Sequence, residues 1–569
     1  MYVATVPNRG SRPAILLREG VREGKKVRTR TLANLTHWPA ARIEALRQLL
    51  RGETLLRSED LFSITSSLPH GHVEAVKVAA RKLSLDSLIS SRPCRERDLI
   101  LGMIAGRILD PSSKLATTRL WGTSTLAEEF CVEGATVDEL YEALDWLLSR
   151  KERIEAKLAE RHLQEGGLAL YDVSSSFYTG RTCSLARMGY ERDGRRGLPI
   201  IVYGLLTDGE GCPVGVDVYP GNTGDPKTVP DQVNKLQGRF GLSRVVLVGD
   251  RGMLTQAQID ALKNHPGLSW ISSLRGPAIR ELVESGALQM SLFDEKDLAE
   301  ISSPDYPGER LVACFNPLLA RERRRKREEL LLATESELER IQKEVSRRTK
   351  TPLGDSEIGV KVGRVIGRFK MGKHFDWSIE KGAFRWSRLE ESIHLEEALD
   401  GIYVVRTNEP KERLSAEDAV RNYKRLAEVE RAFRCLKGID LKVRPIHHRI
   451  DDRVRAHIFL CMLAYYLEWH MRKAWAPLLF EDEERRDKRH HRDPVAPATP
   501  SASAKRKKAL RQTPDGLPVQ SFHTLLENLA TRCRNTCTLK EKGATFRQIT
   551  DPSPLHTRAF QLLDPLRST

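Results

Sequence analysis

The sequence predicts an α/β protein: a sheet flanked by helices, preceded by a helical region and interrupted by an insertion. Three observations carry this. Four short β-forming runs, "GLALYDV", "LPIIVYGLL", "PVGVDVYP" and "RVVLVGD", fall within 166–250, with the helix candidate "VPDQVNKLQGRFG" before the last. Their order is β-β-β-α-β. Apolar residues recur at three- and four-residue steps over 70–165, the period of buried helix faces. A long charged stretch then follows, and a clean strand, "IYVVRT", returns only at 402–407.

In order, residues 1–65 read as a small basic module, with the strand "KKVRTRTLA" and the helix "AARIEALRQLL". Residues 66–165 are helical, with "DLILGMIAGRIL" and "VDELYEALDWLLSRKERIEAKLAERHL" as the strongest patterns, and are a candidate DNA-binding region. In 166–275 the two outer β runs are continuously apolar, as strands covered on both faces are, and the turn "TDGEGC" joins the middle two. Residues 276–400 read as an insertion, with the long charged helix "LLARERRRKREELLLATESELERIQKEVSRR" and strand-like "GRVIGRFKMGKHFDWSI" and "GAFRWSRLEES". Residues 401–480 return to the core, with helices over 416–437 and 450–473. The apolar run "IFLCMLAYYL" is closed by Glu468 and is too short for a membrane span, so it is expected to be a buried helix. Residues 481–515, rich in Pro, Ala, Ser, Lys and Arg, are expected to be a flexible linker, and 516–569 a small helical tail.

The charge narrows the partners. Against 77 acidic residues stand 93 Lys and Arg, a net +16 and a pI of about 9.4, which favours a polyanion: nucleic acid before an anionic membrane surface. Lys25, Lys26, Arg28 and Arg30, and Lys505, Arg506, Lys507 and Lys508, are phosphate-contact candidates that read equally well as solubilising clusters. Nine cysteines lack paired spacing, and Cys533–Cys537 has no second Cys/His pair beside it, so neither a disulfide framework nor a zinc finger is legible. With no signal-peptide pattern at the start, the expectation is a cytoplasmic protein, nucleoid-associated when bound to DNA.

Two acids stand at strand ends, Asp172 in "LALYDVSSSFYTG" and Asp250 in "LVGDRGM". Acids at the ends of neighbouring strands point into one crevice, where they repel unless a cation lies between them. Aspartate also favours turns, so either one alone reads as a loop-starting cap. The serines after Asp172 have no histidine nearby and no G-x-S-x-G elbow and are expected to let the chain turn off the strand. The third piece is "YKRLAEVERAFRCLKGIDLKVRPIHH". At about 100° per residue, Tyr423, Glu430, Arg434 and Lys437 fall within about 40° of one line. That places Glu430 at the rim of the stripe Val429, Phe433 and Leu436, beside basic groups suited to phosphate. Asp225 and Thr228 in "PGNTGDPKTV" read as a turn and helix cap. His447, His448, Asp451, Asp452 and His457 read as a capped helix start rather than a second metal site.

Taken together, "YDVSSSFY", "GLLTDGEGCPVGVDVYPGNTGD", "VVLVGDRGM" and "VERAFRCLK" resemble the DDE transposases of bacterial insertion sequences, in the branch with the motif Y-x2-R-x3-E-x6-K. The resemblance covers 166–275 and 402–470. It implies a ribonuclease-H-like core of the retroviral-integrase type: a mixed sheet with flanking helices, the acids Asp172, Asp250 and Glu430, and an insertion before the glutamate. Tyr423 and Lys437 match the motif and are the expected phosphate contacts. The motif arginine does not match, since position 426 is Leu. Arg425 lies one residue early, about 140° around a helix from Glu430, and Arg434 is the alternative phosphate contact. The resemblance further implies two Mg2+ ions, or Mn2+ in their place, held by the three acids. It implies cleavage and strand transfer on double-stranded DNA at the element's terminal repeats and target, by at least a dimer. A transposase-derived repressor without catalysis and a ribonuclease-H-like structure-selective nuclease are the alternatives.

Overall fold

In the computed structural model, residues 1–53, 62–192, 197–293, 296–485, 488–489, 491–539 and 543–567 are described. The chain divides into two units, Met1–Pro69 with Arg532–Asp551, and His70–Thr531 with Pro552–Thr569. In the first, β1 (Tyr2–Asn8), β2 (Ser11–Glu23) and β3 (Lys26–Asn34) form an antiparallel meander. Lys25, Lys26, Arg28 and Arg30 are all exposed on its last hairpin and strand. The helix Ala40–Leu50 follows, then β4 (Phe62–Pro69).

The second unit opens with helices, among them Gly71–Lys82, Arg95–Leu109, Val137–Leu148 and Lys151–His162. Thr136 starts the third through a capping box, accepting from Glu139 N at 3.2 Å while Glu139 accepts from Thr136 N at 2.8 Å, which satisfies two otherwise orphan donors. Arg95–Leu109 and Val137–Leu148 pack on the helix Asp451–Trp475, in which every residue from Ile458 to Leu467 is buried. Among the described residues no helix is long and apolar enough to cross a membrane.

Against this helical layer lies a large mixed sheet. β5 (Leu168–Phe177), β6 (Ile200–Asp208) and β7 (Pro213–Pro220) run antiparallel, while β8 (Val245–Val248) joins β5 in parallel and β9 (Leu268–Ser273) joins β8 in parallel. The expected β-β-β-α-β order therefore forms, with Val229–Val233 and a π-helical turn Asn234–Arg239 as the crossover. The sheet continues past the expected core. β10 (Leu298–Ile301) and β11 (Arg310–Phe315), both in the stretch read as insertion, join it through β14 (Ile402–Thr407), giving the order β10-β11-β14-β9-β8-β5-β6-β7.

What stands apart is shorter than 276–400. The helices Pro317–Arg347, Asp355–Phe369 and Glu390–Glu397 and the hairpin of β12 (Phe375–Glu380) with β13 (Ala383–Arg388) enclose their own core, including Leu331, Leu338, Ile358, Val362 and Phe384. The run "GRVIGRF" is helix rather than strand. Ile358, Val362 and Phe369 recur at helical steps, and that period outweighs the strand preference of β-branched residues.

The basic stretch 481–515, expected to be a free linker, is packed where it is described. Arg489 pairs with Glu210 at 2.9 Å, Lys424 donates to Val495 O at 2.8 Å, and Arg421 to Arg492 O at 2.9 Å. Lys507 is buried, donating to Glu483 Oε1 at 2.6 Å and Ala476 O at 2.9 Å, so it is unavailable to phosphate, whereas Lys505, Arg506 and Lys508 are exposed. Its polar composition is consumed by ion pairs and by carbonyls that accept from helix side chains, a pattern that composition alone cannot separate from solvation. The tail is not purely helical either: β15 (Cys533–Leu539) pairs with β16 (Thr545–Ile549) and with β4. Both strands are largely polar on both faces, so they lack the alternation that marks a half-buried strand.

Candidate active site

The pairing of β5 with β8 ends at Leu170 opposite Val248. Asp172 stands two residues further along β5, and Asp250 two residues past the end of β8, in the turn that leaves that strand. Here the structure departs from expectation, because β5 does not end at Asp172. It runs on to Phe177 against β6, with Asp172 opposite Leu205 and Ser174 opposite Tyr203. The crevice opens because β8 stops, leaving that flank of β5 without a neighbour. Ser174, Ser175 and Ser176 are buried within the strand, and Ser176 Oγ lies 2.9 Å from the Tyr203 hydroxyl. They extend the strand and do not turn the chain.

The helix expected over 416–437 is two helices, Ala416–Lys424 and Leu426–Lys437, meeting at Arg425. Ser415 caps the first by accepting from Asp418 N at 3.0 Å. The second packs on β5, with the Phe433 ring 5.9 Å from that of Tyr203 and the Lys437 ammonium 6.0 Å from the same ring. Asp172, Ser174 and Ser176 share a strand face with Tyr203, so Glu430 and Lys437, seven residues apart on the helix, lie along the face that carries Asp172. The break moves Tyr423 off the line extrapolated from the sequence. Its hydroxyl meets Asp250 Oδ1 at 3.3 Å and Ser273 Oγ at 2.7 Å.

Arg425 turns away from the acids. Its guanidinium donates to Gly209 O at 3.2 Å and pairs with Glu210 at 3.5 Å, in the turn between β6 and β7. Asp208 shapes that turn, its Oδ1 accepting from Glu210 N at 2.8 Å and Cys212 N at 2.9 Å. Gly211 has a φ of +85°, and a Cβ there would stand 2.8 Å from the Cβ of Glu428, so glycine is needed both for the backbone and for the close approach of the helix. Arg434 is exposed and lines a cleft of about 1670 Å3 together with Arg431 and Lys473.

The electrostatics tie the three acids together. Burial, and then the charges of Asp250 and Glu430, push the Asp172 carboxyl up to about 7, against the Val173 N–H and the cation of Arg192. Val173 N donates to Asp172 Oδ1 at 2.8 Å. Asp250 and Glu430 are exposed, so water shields them more than it does Asp172. Burial likewise lifts the Tyr423 hydroxyl to about 12, leaving it a hydrogen-bond donor at neutral pH.

Two participants have no signal in the sequence. Arg192, in an irregular segment, faces Asp172 and pairs with Asp225. Ser273 sits at the end of β9 and fixes Tyr423. Asp225 and Thr228 form the expected turn, Thr228 Oγ1 donating to Asp225 O at 2.7 Å, but not the expected helix cap, since neither helix start here has a side-chain cap bond. In the 447–457 group, Asp451 accepts from Ser184 N at 3.1 Å and His457 bonds Val443 O at 3.0 Å, while His447 and Asp452 are exposed. These are packing contacts, and contrary to expectation the helix start at Asp451 has no side-chain cap, because Ile450 holds the cap position and Asp451 is engaged by Ser184.

Comparison with known proteins bears on the family of the chain. The family model described as "Transposase DDE domain" matches residues 178–467, and that of the "IS1634 family transposase, N-terminal domain" matches residues 3–61. The first spans Asp250 and Glu430 and begins six residues after Asp172. No curated protein matches. Among solved structures, a piggyBac transposase synaptic complex with hairpin DNA is 12% identical, over 78% of this chain and 84% of that one, with a TM-score of 0.25. A Mos1 transposase paired-end complex with the left transposon end is 14% identical, over 34% of this chain and 62% of that one, with a TM-score of 0.14. TM-scores this low establish no shared architecture. The match over half the chain does establish descent: the chain belongs to the DDE transposases of insertion sequences.

Proposed function

We propose that Asp172, Asp250 and Glu430 are the catalytic acids of this transposase, carried on a ribonuclease-H-like core, and that they cut and join double-stranded DNA at the element's ends. One observation carries this: Asp172 and Asp250 each lie two residues past the last pair, Leu170 with Val248, of adjacent parallel strands, and the helix that bears Glu430 packs on β5. The donor set fits a hard divalent cation. Burial first, and then the charges of Asp250 and Glu430, push Asp172 up to about 7, and a bound cation relieves that repulsion among the three carboxylates. All-oxygen ligation suits Mg2+, with Mn2+ as a substitute. When bound, such ions activate the attacking hydroxyl and stabilise the leaving oxygen of an in-line displacement.

The chain's own side chains do the rest. Tyr423 and Ser273 orient the Asp250 carboxylate. Lys437 holds a scissile phosphate over the β5 face, and Arg434, one helical turn beyond Glu430, contacts the flanking backbone. Arg425 fixes the junction between the two helices and takes no phosphate. Two element ends held together require at least two copies. The test is single-turnover cleavage of a terminal-repeat duplex in Mg2+ by the full chain. Asp172→Ala, Asp250→Ala and Glu430→Ala are each expected to abolish cleavage with DNA binding retained, and full cleavage by any of them overturns the assignment.

A further inference from the structure

A second cluster of metal-ligating side chains lies away from the acids. His162 ends the helix Lys151–His162, Cys212 closes the β6–β7 turn, and His470 sits in the helix Asp451–Trp475. One ligand atom from each lies within 4.8 Å of the other two. Cys212 and His470 are buried, and no disulfide engages any of the nine cysteines.

We infer that His162, Cys212 and His470 form a binding site for a borderline-soft transition-metal cation, Zn2+ first. The donors are the nitrogen and sulfur atoms such ions select. Cys212 Sγ lies 3.8 Å from His470 Nε2, close to the edge of about 3.6 Å that tetrahedral zinc bonds of roughly 2.3 Å to sulfur and 2.0 Å to nitrogen require. His162 Nε2 stands 3.1 Å from the Tyr466 hydroxyl. A hydrogen bond there holds the ring in place, and metal-bound histidines are held by such outer partners. Burial pushes His162 down to about 4, so it is neutral and able to ligate at physiological pH. The other compact group, Cys435 with Asp440 and Glu468, already holds a cation: Arg472 meets Glu468 at 2.6 Å and Asp440 at 3.2 Å.

The site has a mechanical meaning. Cys212 belongs to the turn whose Gly209 carbonyl and Glu210 hold Arg425, and Arg425 is the junction between the Tyr423 and Glu430 helices. A metal at Cys212 pins that turn to the helical layer through His162 and His470. It is thus a structural tie, separate in ligand chemistry from the oxygen-lined active site.

The test is Co2+ titration of the full chain carrying Asp172→Asn and Asp250→Asn, which removes the active site as a competing ligand set. Expected are one equivalent bound with a thiolate-to-cobalt charge-transfer band and visible bands of tetrahedral intensity, displaced by Zn2+. The band is lost in Cys212→Ser and kept in Cys435→Ser. His162→Gln, at a half-buried position tolerant of change, keeps the band with affinity lowered at least tenfold, which holds the test open if Cys212→Ser fails to fold. Absence of the band in the parent protein, its loss in Cys435→Ser, or unchanged affinity in His162→Gln overturns the inference.

Discussion

The Tyr423 hydroxyl lies 3.3 Å from Asp250 Oδ1 and 2.7 Å from Ser273 Oγ, and we propose that this tyrosine positions the carboxylate rather than binding phosphate. A hydrogen bond to a charged group contributes about 1.5–3 kcal/mol, and this one is long. Tyr423→Phe is therefore expected to slow single-turnover cleavage about tenfold, the low end of that range, with DNA affinity and its salt dependence unchanged. Each lost phosphate contact flattens the slope of log affinity against log salt by about 0.9. A flattening of that size in Tyr423→Phe returns the tyrosine to the DNA.

The proton that Asp172 retains gives a stability signature. An unfolded aspartate titrates near 3.8 and the folded Asp172 near 7. Between those values the folded chain binds the extra proton, so stability without metal is full below about pH 4 and falls as pH rises through 7. Urea midpoints in EDTA at pH 5 and pH 8 are expected to show that fall, and Mg2+ is expected to reverse it at pH 8. In Asp172→Asn the component due to this group disappears: the midpoint at pH 8 without metal is higher than in the parent, and Mg2+ raises it less. Equal metal stabilisation in parent and variant places the cation elsewhere.

The contrast between Asp172 and Tyr423 shows what the sequence could and could not reveal. Apolar strand runs followed by an acid singled out Asp172 and Asp250, and the helical line of Tyr423, Glu430 and Lys437 singled out the glutamate, because both are local patterns; the family resemblance joined the three. The helix junction at Arg425 was invisible, since the residues on either side are helix formers and the cause lies in Gly209 and Glu210, more than 200 positions earlier. Arg192 and Ser273 escaped for the same reason: only the sheet brings them to Asp172 and Tyr423. The sheet's extension through β10 and β11 was missed because strands this short carry little pattern and take their identity from the neighbours that pair with them.

Arg425 provides a test that separates scaffold from substrate contact. Removing it leaves the Gly209 carbonyl and Glu210 without their guanidinium, where water replaces part of the loss because the side chain is about one-sixth exposed. Arg425→Ala is expected to cost about 1–3 kcal/mol in urea denaturation, the range for a lost charged hydrogen bond. It is also expected to lower the cleavage rate by loosening the helix junction, with the salt slope of DNA binding unchanged. Arg434→Ala is expected to do the opposite: little change in stability, and a slope flatter by about 0.9.

The last prediction concerns a buried group of basic side chains. Lys114, Arg107 and His448, with His457 of the helix Asp451–Trp475, are all buried. Arg107 is satisfied by carbonyls, those of Ser112 at 3.2 Å and Lys442 at 3.4 Å. Burial first, and then the charge of Arg107, push Lys114 down to about 7, while burial pushes His448 down to about 3 and keeps it neutral. An unfolded lysine holds its proton to about 10.5, so between pH 7 and 10 the unfolded chain binds more protons and stability due to this group rises with pH. Below pH 7 the folded state must carry a buried ammonium at full cost. Lys114→Met, of similar length and no charge, is expected to be more stable than the parent at pH 7 by about 1 kcal/mol or more, the sign seen when buried ions give way to apolar groups. The gap should narrow by pH 9 in parallel denaturation series. A variant less stable than the parent by the same amount at both pH values means that Lys114 is held by compensating contacts and does not titrate in this range.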